Sequence, residues 1–365
     1  MARVRARSGG FSGPRLTSYA SREASDARPV EIVSASAASP VRAIIGPGRS
    51  GTTWAGTIVD SSPEVIYRFE PFHRMAAVNP EFRDWFEKLK RQAVESADVP
   101  KLYELLRIAD PLVNKAPFFL RKSYRQLALG RSALWPVARV LAPVNRVYRR
   151  AYTPASGPPI VFKEVTFVKP LRNILERTSI PVVYLARHPC ATVLSELKGL
   201  TQRRQPARHL RLRELLLEYS PSMVDQFPEV IAGNDVVSRM ALLWRCEVET
   251  CASLIDRYQR GHLMTYEQLA GDAYVESGKL LAHLGLRFAD ETRRYLDSLH
   301  GVRSDSMRGP RRTGWGNKHF SVYRNPSDEK DAWKSRITSE MQRKIEAVVS
   351  GGVFVERLAA LGGWW

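Results

Sequence analysis

A chain of 365 residues with 44% hydrophobic and 25% charged residues has the composition of a folded protein with a substantial core. No apolar run approaches the roughly 20 residues that a membrane-spanning helix needs, and the three cysteines form no C-x-x-C pair, which argues against a disulfide framework or a cysteine metal cluster. The net charge of +19 predicts attraction to anions, a class that includes nucleic acid, anionic lipid and multiply charged small molecules.

The first 40 residues are rich in arginine and serine and lack the apolar core of a secretory signal. We interpret residues 1–40 as a disordered basic tail, with an organellar transit peptide as the alternative. The odd number of cysteines favours a reducing compartment. We therefore expect a cytoplasmic protein with a single ordered domain over residues 41–365.

The domain begins with a short apolar strand, VRAIIG, and continues into a predicted helix, TTWAGTIVDS. The next apolar stretch, EVIYRFEPFH, predicts a second strand that ends in a polar loop. Residues 80–107 carry helical periodicity.

Residues 158–167 and 181–189 predict two further strands, separated by a helix with the sequence VKPLRNILERT. Residues 205–260 read as mainly helical, and residues 261–270 as one more strand leading into a helix. Strands that alternate with helices at this pitch predict an α/β fold, with a mainly parallel central sheet between two layers of helices.

Residues 131–159 fit this alternation least, because they mix arginines, aromatic residues and prolines. One interpretation is a basic amphipathic segment that contacts a membrane surface or lines an acceptor site. The alternative, which is the commoner case, is an inserted helix that packs on the domain through its apolar face.

The turn after the first strand resembles a phosphate-binding P-loop. Gly46 and Gly51 stand where the pattern G-x-x-x-x-G-K-[ST] has its glycines, and Thr53 fills the last position. Thr52 replaces the lysine that bridges the terminal phosphates in nucleoside triphosphatases, which disfavours ordinary triphosphate chemistry. Arg49 adds a cation within the loop. The loop therefore predicts an anion site at a helix N-terminus.

A second pattern follows in VVYLARHPCATVLSEL, where Arg187 lies just past a strand and Ser195 comes eight residues later. A helix that starts near Cys190 or Ala191 would bring Ser195 back toward Arg187. The two side chains would then hold a second phosphate through charge-assisted hydrogen bonds.

Together, GRSGTTW and YLARHPCATVLSEL resemble the two cofactor motifs of sulfotransferases that use 3′-phosphoadenosine 5′-phosphosulfate (PAPS). The segment YRFEPFH is similar to one in the carbohydrate sulfotransferase branch, and looser similarity in LMTYEQLAGDAYVESGKLLAHLGL and RNPSDEKDAWKSRITSEMQRKIEAVV extends the resemblance over roughly residues 41–350. The resemblance implies a P-loop-like three-layer fold, PAPS as co-substrate and no required metal. Sulfuryl transfer moves a singly charged group, which explains why the loop manages without its lysine.

In the family, the first motif holds the 5′-phosphosulfate and the second holds the 3′-phosphate. Trp54 is expected near the adenine or in the core, and Arg324 over the nucleotide, while Trp333 is expected in the core. The resemblance therefore implies these cofactor-binding residues: Gly48, Arg49, Ser50, Gly51, Thr52, Thr53, Trp54, Arg187, Ser195 and Arg324.

The acceptor hydroxyl benefits from a general base. The resemblance points to Glu70, at the end of the second strand, and His73 is the rival base. Lys163, within the strand VFKEV, would assist the leaving group, and Glu164 would face the other side of that strand. Arg49 would stabilise charge on the bridging oxygen.

Two departures from the family pattern matter. The second motif usually reads Arg-Asp-Pro-Arg, but here His188 and Cys190 replace its Asp and its last Arg, so one cation is missing, and Arg311, Arg312 or Arg324 could replace it. No transmembrane anchor like that of the Golgi members is visible, which favours a bacterial form. We expect a small-molecule or glycan acceptor and no nucleic acid partner, with a P-loop kinase and a nucleic-acid-binding protein as alternatives.

Overall fold

Five short segments form one parallel sheet in the computed structural model, which describes residues 39–115, 118–119, 122–124, 130–202, 206–299 and 326–365. The strand order is β2-β3-β1-β4-β5, and each neighbouring pair is parallel. The strands are β1 (Val41–Gly46), β2 (Ile66–Phe69), β3 (Ile160–Val165), β4 (Val182–Ala186) and β5 (Gly261–Thr265).

Helices cover both faces of this sheet. Those before β4 are α1 (Thr52–Ser61), α2 (Pro71–Val78), α3 (Pro80–Lys90), α4 (Val99–Arg107), α5 (Arg131–Val140), α6 (Ala142–Tyr152) and α7 (Val168–Arg177). Those after β4 are α8 (Pro189–Thr201), α9 (Leu212–Tyr219), α10 (Ser222–Gln226), α11 (Pro228–Ala232), α12 (Val236–Asp256), α13 (Tyr266–Gly271), α14 (Ala273–His283), α15 (Asp290–Leu299), α16 (Pro326–Asp331), α17 (Ser339–Val349) and α18 (Val353–Gly362).

The sheet separates two hydrophobic cores. Alternate residues of β1 point to opposite faces, so Ile45 packs in the core that includes α3, α7 and α12, whereas Ile44 packs in the core that includes α1, α13 and α14. A parallel sheet buried on both faces needs nearly continuous apolar strands, which explains why the strands were readable from sequence. The predicted three-layer α/β fold is confirmed.

One predicted boundary is wrong. The sequence predicted a polar loop after β2, but Glu70 alone separates the end of β2 at Phe69 from the start of α2 at Pro71. Proline suits the first turn of a helix because it needs no amide hydrogen there. Glu70 makes the sharp corner with a left-handed backbone, at φ 47°.

The insertion contains two helices, α5 and α6, joined by Leu141 into a helical hairpin. Its inner face buries Ala138, Tyr148 and Tyr152 together with Ala109. In the described part of the chain, every helix is too short or too polar to span a bilayer.

Candidate active site

The loop between β1 and α1 has the backbone shape that its glycines allow. A Cβ on Gly46 would lie 2.2 Å from the carbonyl oxygen of Leu185, so only glycine lets β1 pass this close to β4. Gly51 has φ +91°, and a Cβ there would lie 2.4 Å from the ring of Tyr266. Arg49 also takes a left-handed backbone, at φ 68°. The loop therefore turns tightly onto the N-terminus of α1, which is an anion-binding geometry.

The two motifs that the sequence separates by more than a hundred residues meet at this loop. Arg49 Nε donates to Ser195 Oγ on α8 at 2.8 Å. The Arg187 guanidinium lies 4.3 Å from the centre of the Tyr266 ring and donates through Nη2 to the Glu329 carbonyl oxygen at 2.7 Å. Its Nε is buried and has no hydrogen-bond partner among the described residues. The arginines of both motifs thus line one site.

The departure in the second motif has a structural explanation. His188, at the position of the motif's aspartate, is the N-cap of α8, and its Nδ1 accepts the amide hydrogen of Cys190 at 3.1 Å. Burial lowers the pKa of His188 to about 3, so the cap is a neutral imidazole. The ring stacks on Trp333 at 4.1 Å, which places Trp333 in the core as expected. Arg311, Arg312 and Arg324 lie outside the described residues.

A cavity of about 1000 Å³ opens at the carboxyl ends of the strands, where ligands bind in such sheets. Most of the predicted site residues line this cavity: Gly48, Arg49, Gly51, Thr52, Thr53, Trp54, Glu70, His73, Lys163, Arg187 and Ser195. Among the predicted residues that the structure describes, only Ser50 does not line it: Ser50 is fully buried, and its Oγ has no partner among the described residues.

Lys163 and Glu70 form an ion pair at the cavity wall. Lys163 Nζ lies 2.5 Å from Glu70 Oε1, and the Glu70 amide donates to the Lys163 carbonyl oxygen at 2.8 Å. Burial lowers the pKa of Lys163, while the adjacent carboxylate of Glu70 opposes that shift. The left-handed backbone of Glu70 is costly for a non-glycine residue, and such backbone strain clusters at functional sites.

His73 and Glu164 form a second pair nearby. His73 Nδ1 lies 2.7 Å from Glu164 Oε2, and Glu164 Oε1 accepts the Phe72 amide hydrogen at 2.6 Å. Burial raises the pKa of Glu164, and the hydrogen bond that His73 makes to Glu164 is the largest cause that raises the pKa of His73. The sequence placed Glu164 on the opposite face of β3 from Lys163, and the structure shows that α2 brings His73 to that face.

Several charged side chains of the cavity were not predicted. Lys115 Nζ lies 3.0 Å from the centre of the Phe69 ring, and burial lowers its pKa to about 7. Glu196, next to Ser195, also lines the cavity, and burial together with Glu247 raises its pKa to about 7. The adjacency of Glu196 to the second motif was a usable signal, whereas nothing in the sequence around Lys115 marks it. Within the described ranges, no three His, Cys, Asp or Glu side chains gather as a metal ion requires.

Residues 42–362 match the family model described as the sulfotransferase domain, so the chain belongs to that family. A comparison with curated protein sequences gives no significant match. The prediction of a PAPS-dependent sulfotransferase is confirmed at the level of the family.

Solved structures similar to the chain also include sulfotransferases. The sulfotransferase domain from the curacin biosynthetic pathway is 16% identical, with a TM-score of 0.42 over 85% of this chain and 96% of that one. The corresponding domain from the Synechococcus PCC 7002 olefin synthase is 16% identical, with a TM-score of 0.42 over 84% of this chain and 94% of that one. A sulfotransferase from Mycobacterium tuberculosis H37Rv is 14% identical, with a TM-score of 0.36 over 85% of this chain and 76% of that one.

Proposed function

We propose that the enzyme transfers the sulfuryl group of PAPS to a hydroxyl of a carbohydrate, a glycolipid or another hydroxylated metabolite. One observation carries this assignment: two anion-binding motifs meet across 2.8 Å at one cavity, and Glu70 lines the same cavity. A transfer enzyme needs this combination, because it must hold an anionic donor beside a group that activates the acceptor.

The donor side suits a nucleotide with phosphates at two positions. The loop around Arg49 would hold the phosphosulfate end, and Arg187 with Ser195 would hold the 3′-phosphate. Arg187 Nε is a buried donor that has no partner among the described residues, and such an atom is costly unless a ligand satisfies it. Trp54 also lines the cavity, but it is only 8% exposed and packs in the core, with its ring centre 5.6 Å from that of Tyr266.

Glu70 is the proposed general base. Its Oε1 is held by Lys163, while its side chain stays partly exposed at the cavity, so a carboxylate oxygen can accept the proton of the acceptor hydroxyl. The Lys163 ammonium keeps the carboxylate in place, and it carries positive charge into a buried part of the site. Arg49 would counter the negative charge that develops on the leaving oxygen. When bound, PAPS supplies the sulfuryl group that the activated hydroxyl attacks.

His73 is the second candidate base, because Glu164 orients it as the acid orients the base in a catalytic triad. With Nδ1 donating to Glu164, a neutral His73 would present Nε2 as the proton acceptor. The Glu164 hydrogen bond also stabilises the charged imidazolium, which cannot act as a base. Because the contact with Glu164 favours the protonated form of His73, Glu70 is the preferred candidate for the base.

Calorimetric binding of adenosine 3′,5′-bisphosphate tests the donor site. We expect the wild type to bind the bisphosphate in preference to ATP–magnesium, and Arg187→Ala to weaken that binding by roughly 10- to 100-fold, as the loss of a hydrogen bond to a charged group does. Arg287→Ala is the matched control, since Arg287 is exposed and pairs with Glu64 at the surface. Tighter binding of ATP–magnesium, or no bisphosphate binding, would contradict the proposed function and favour a kinase. Equal bisphosphate affinity in Arg187→Ala would contradict the assignment of Arg187 to the donor site.

A further inference from the structure

The outer face of the α5–α6 hairpin is unusually apolar. Val140 is 81% exposed and Leu141 50%, both at the corner where the two helices join, and Val147, in the middle of α6, is 64% exposed. Leu134 and Val137 of α5 are exposed as well. Five of the thirteen exposed large hydrophobic residues in the described part of the chain therefore belong to this one hairpin. Such a concentration marks an interaction surface, whereas isolated exposed apolar residues do not.

The two helices of the hairpin are held together by their inner faces. Its inner face packs through Tyr148 and Tyr152, Arg131 Nε donates to Tyr148 Oη at 3.1 Å, and Asn145 Nδ2 donates to the Ala138 carbonyl oxygen at 3.2 Å. Because these inner side chains are already packed and hydrogen-bonded, rotating either helix to bury its apolar outer face would break those contacts.

The charge of the hairpin indicates what covers that face. Residues 131–152 contain five arginines and no Asp, Glu or Lys. Arg139, Arg146 and Arg150 are exposed, whereas Arg131 is buried and Arg149 lies 3.7 Å from Asp110. A second copy of this chain would bring like charges together, which is unfavourable. An anionic lipid surface offers phosphates to the arginines and an apolar interior to the valines.

We propose that the α5–α6 hairpin docks on an anionic lipid bilayer, with the corner at Val140 and Leu141 entering the boundary between headgroups and acyl chains. Amphipathic elements reach about 5–10 Å into that boundary. The exposed arginines then lie at the level of the lipid phosphates, where their long apolar stems can also be accommodated.

The hairpin is also connected to the cavity. Trp135 Nε1 of α5 donates to the Asn114 carbonyl oxygen at 3.3 Å, and the next residue, Lys115, lies over Phe69 on the same side of the cavity as Glu70. Docking through the hairpin would therefore bring the acceptor side of the cavity near the bilayer. On the proposed function, on which this step rests, the acceptor class it favours is a lipid-borne hydroxyl.

Vesicle flotation of the full-length protein tests the docking surface. The probes are vesicles of phosphatidylcholine alone and vesicles of equal parts phosphatidylcholine and phosphatidylglycerol. We expect binding only to the second, weakened at least tenfold by the paired change Val140→Ser with Leu141→Ser. The matched control is Val353→Ser, because Val353 is 75% exposed on α18. Replacing Arg139, Arg146 and Arg150 together by alanine should weaken binding on the order of 100-fold, since each arginine near an anionic surface contributes about fivefold.

Three outcomes would overturn the docking surface: no binding of the wild type, equal binding to both vesicles, or serine variants that bind as the wild type does. A dimer in gel filtration that the Val140→Ser, Leu141→Ser variant abolishes would instead show a self-interface. The basic N-terminal segment is the same in every variant, so its contribution cancels. Bisphosphate calorimetry on the same samples tests the donor site independently of vesicle binding. A failure of the proposed function and a failure of docking are therefore distinguishable.

Discussion

The two charged pairs beside the cavity, Glu70–Lys163 and His73–Glu164, are built in the same way with the charges exchanged. In the first pair the buried member is the cation, Lys163 at 2% exposure, and the acid Glu70 is 22% exposed. In the second the buried member is the acid, Glu164 at 0%, and His73 is 52% exposed. Both buried members are neighbours on β3, and both exposed members come from the corner between β2 and α2.

The buried and the exposed member of each pair have different roles. A buried charge is fixed by packing and keeps its partner in one orientation, whereas the exposed partner can contact a substrate. Because strand residues alternate between faces, Lys163 and Glu164 reach the corner from opposite sides of the sheet. One dipeptide therefore supplies an orienting group to two candidate bases.

The largest expected effect is on kcat, and it distinguishes Glu70 from His73 as the base. We expect Glu70→Gln to lower kcat by about 10²- to 10⁴-fold, the usual contribution of a general base, with bisphosphate affinity unchanged. His73→Asn should lower kcat by less than tenfold. Steady-state kinetics on both variants checks this expectation, and the reverse order would make His73 the base and Glu164 its orienting partner.

Lys163→Met probes the buried member of the first pair. The methionine removes a buried charge together with its desolvation cost, and the Glu70 carboxylate left behind is 22% exposed to water, so we expect the free energy of unfolding to change by less than about 1.5 kcal/mol. Glu70 loses its fixed orientation, and we expect kcat to fall by up to about 100-fold. Thermal unfolding and kinetics on one sample measure both effects. A large loss of stability with unchanged kcat would show that Lys163 is structural only.

Glu164→Gln probes the buried member of the second pair. The amide can still accept the Phe72 amide hydrogen, so we expect a loss of about 1–2 kcal/mol of stability rather than unfolding. The pKa of His73 should move down toward its ordinary value, because the largest cause that raises it is removed. NMR titration of the imidazole measures this shift. An unchanged His73 pKa would mean that the pair seen in the structure does not form in solution.

The sequence predicted the backbone of the loop around Arg49 and named many of the residues that line the cavity, but not the pairing of side chains on its Glu70 wall. The strand–loop–helix around Arg49 is a local structure, because apolar strands, glycine turns and helix starts are encoded over a few residues. The sequence paired Ser195 with Arg187, whereas the structure shows its hydroxyl accepting a hydrogen bond from Arg49 of the first motif, a contact between distant parts of the chain. Each of these residues carries its own local signal.

The wall of the cavity around Glu70 depends on contacts that no local pattern encodes. From the sequence, Glu164 is an ordinary strand residue, and only the fold shows that α2 places His73 beside it. Lys115 likewise looks like a surface lysine in the sequence, whereas in the fold its ammonium lies over the Phe69 ring. The direct passage from β2 through Glu70 into α2 was missed, because the left-handed backbone at this corner is rare for glutamate and residue propensities do not anticipate it. The hairpin was recognised as basic and amphipathic, but the exposure of its apolar face is a tertiary property.

The smallest expected effect is the pH dependence that the second pair gives to stability. The pKa values of both His73 and Glu164 are raised in the folded state, so the folded protein holds protons that the unfolded chain has released. Stability from this pair is therefore fully present at pH below the unfolded values and is lost as pH rises through the raised folded values.

His73→Asn removes the imidazole from this balance. We expect the wild type to lose stability as pH rises above the ordinary imidazole pKa of about 6.5, and the variant to show a flatter profile there. Urea unfolding at a series of pH values measures the slope, with His283→Asn as control because His283 lies in α14, away from this pair. Equal slopes in wild type and His73→Asn would mean that Glu164 alone holds the extra proton of the folded state. The second pair would then contain a neutral acid where the first contains an ion pair.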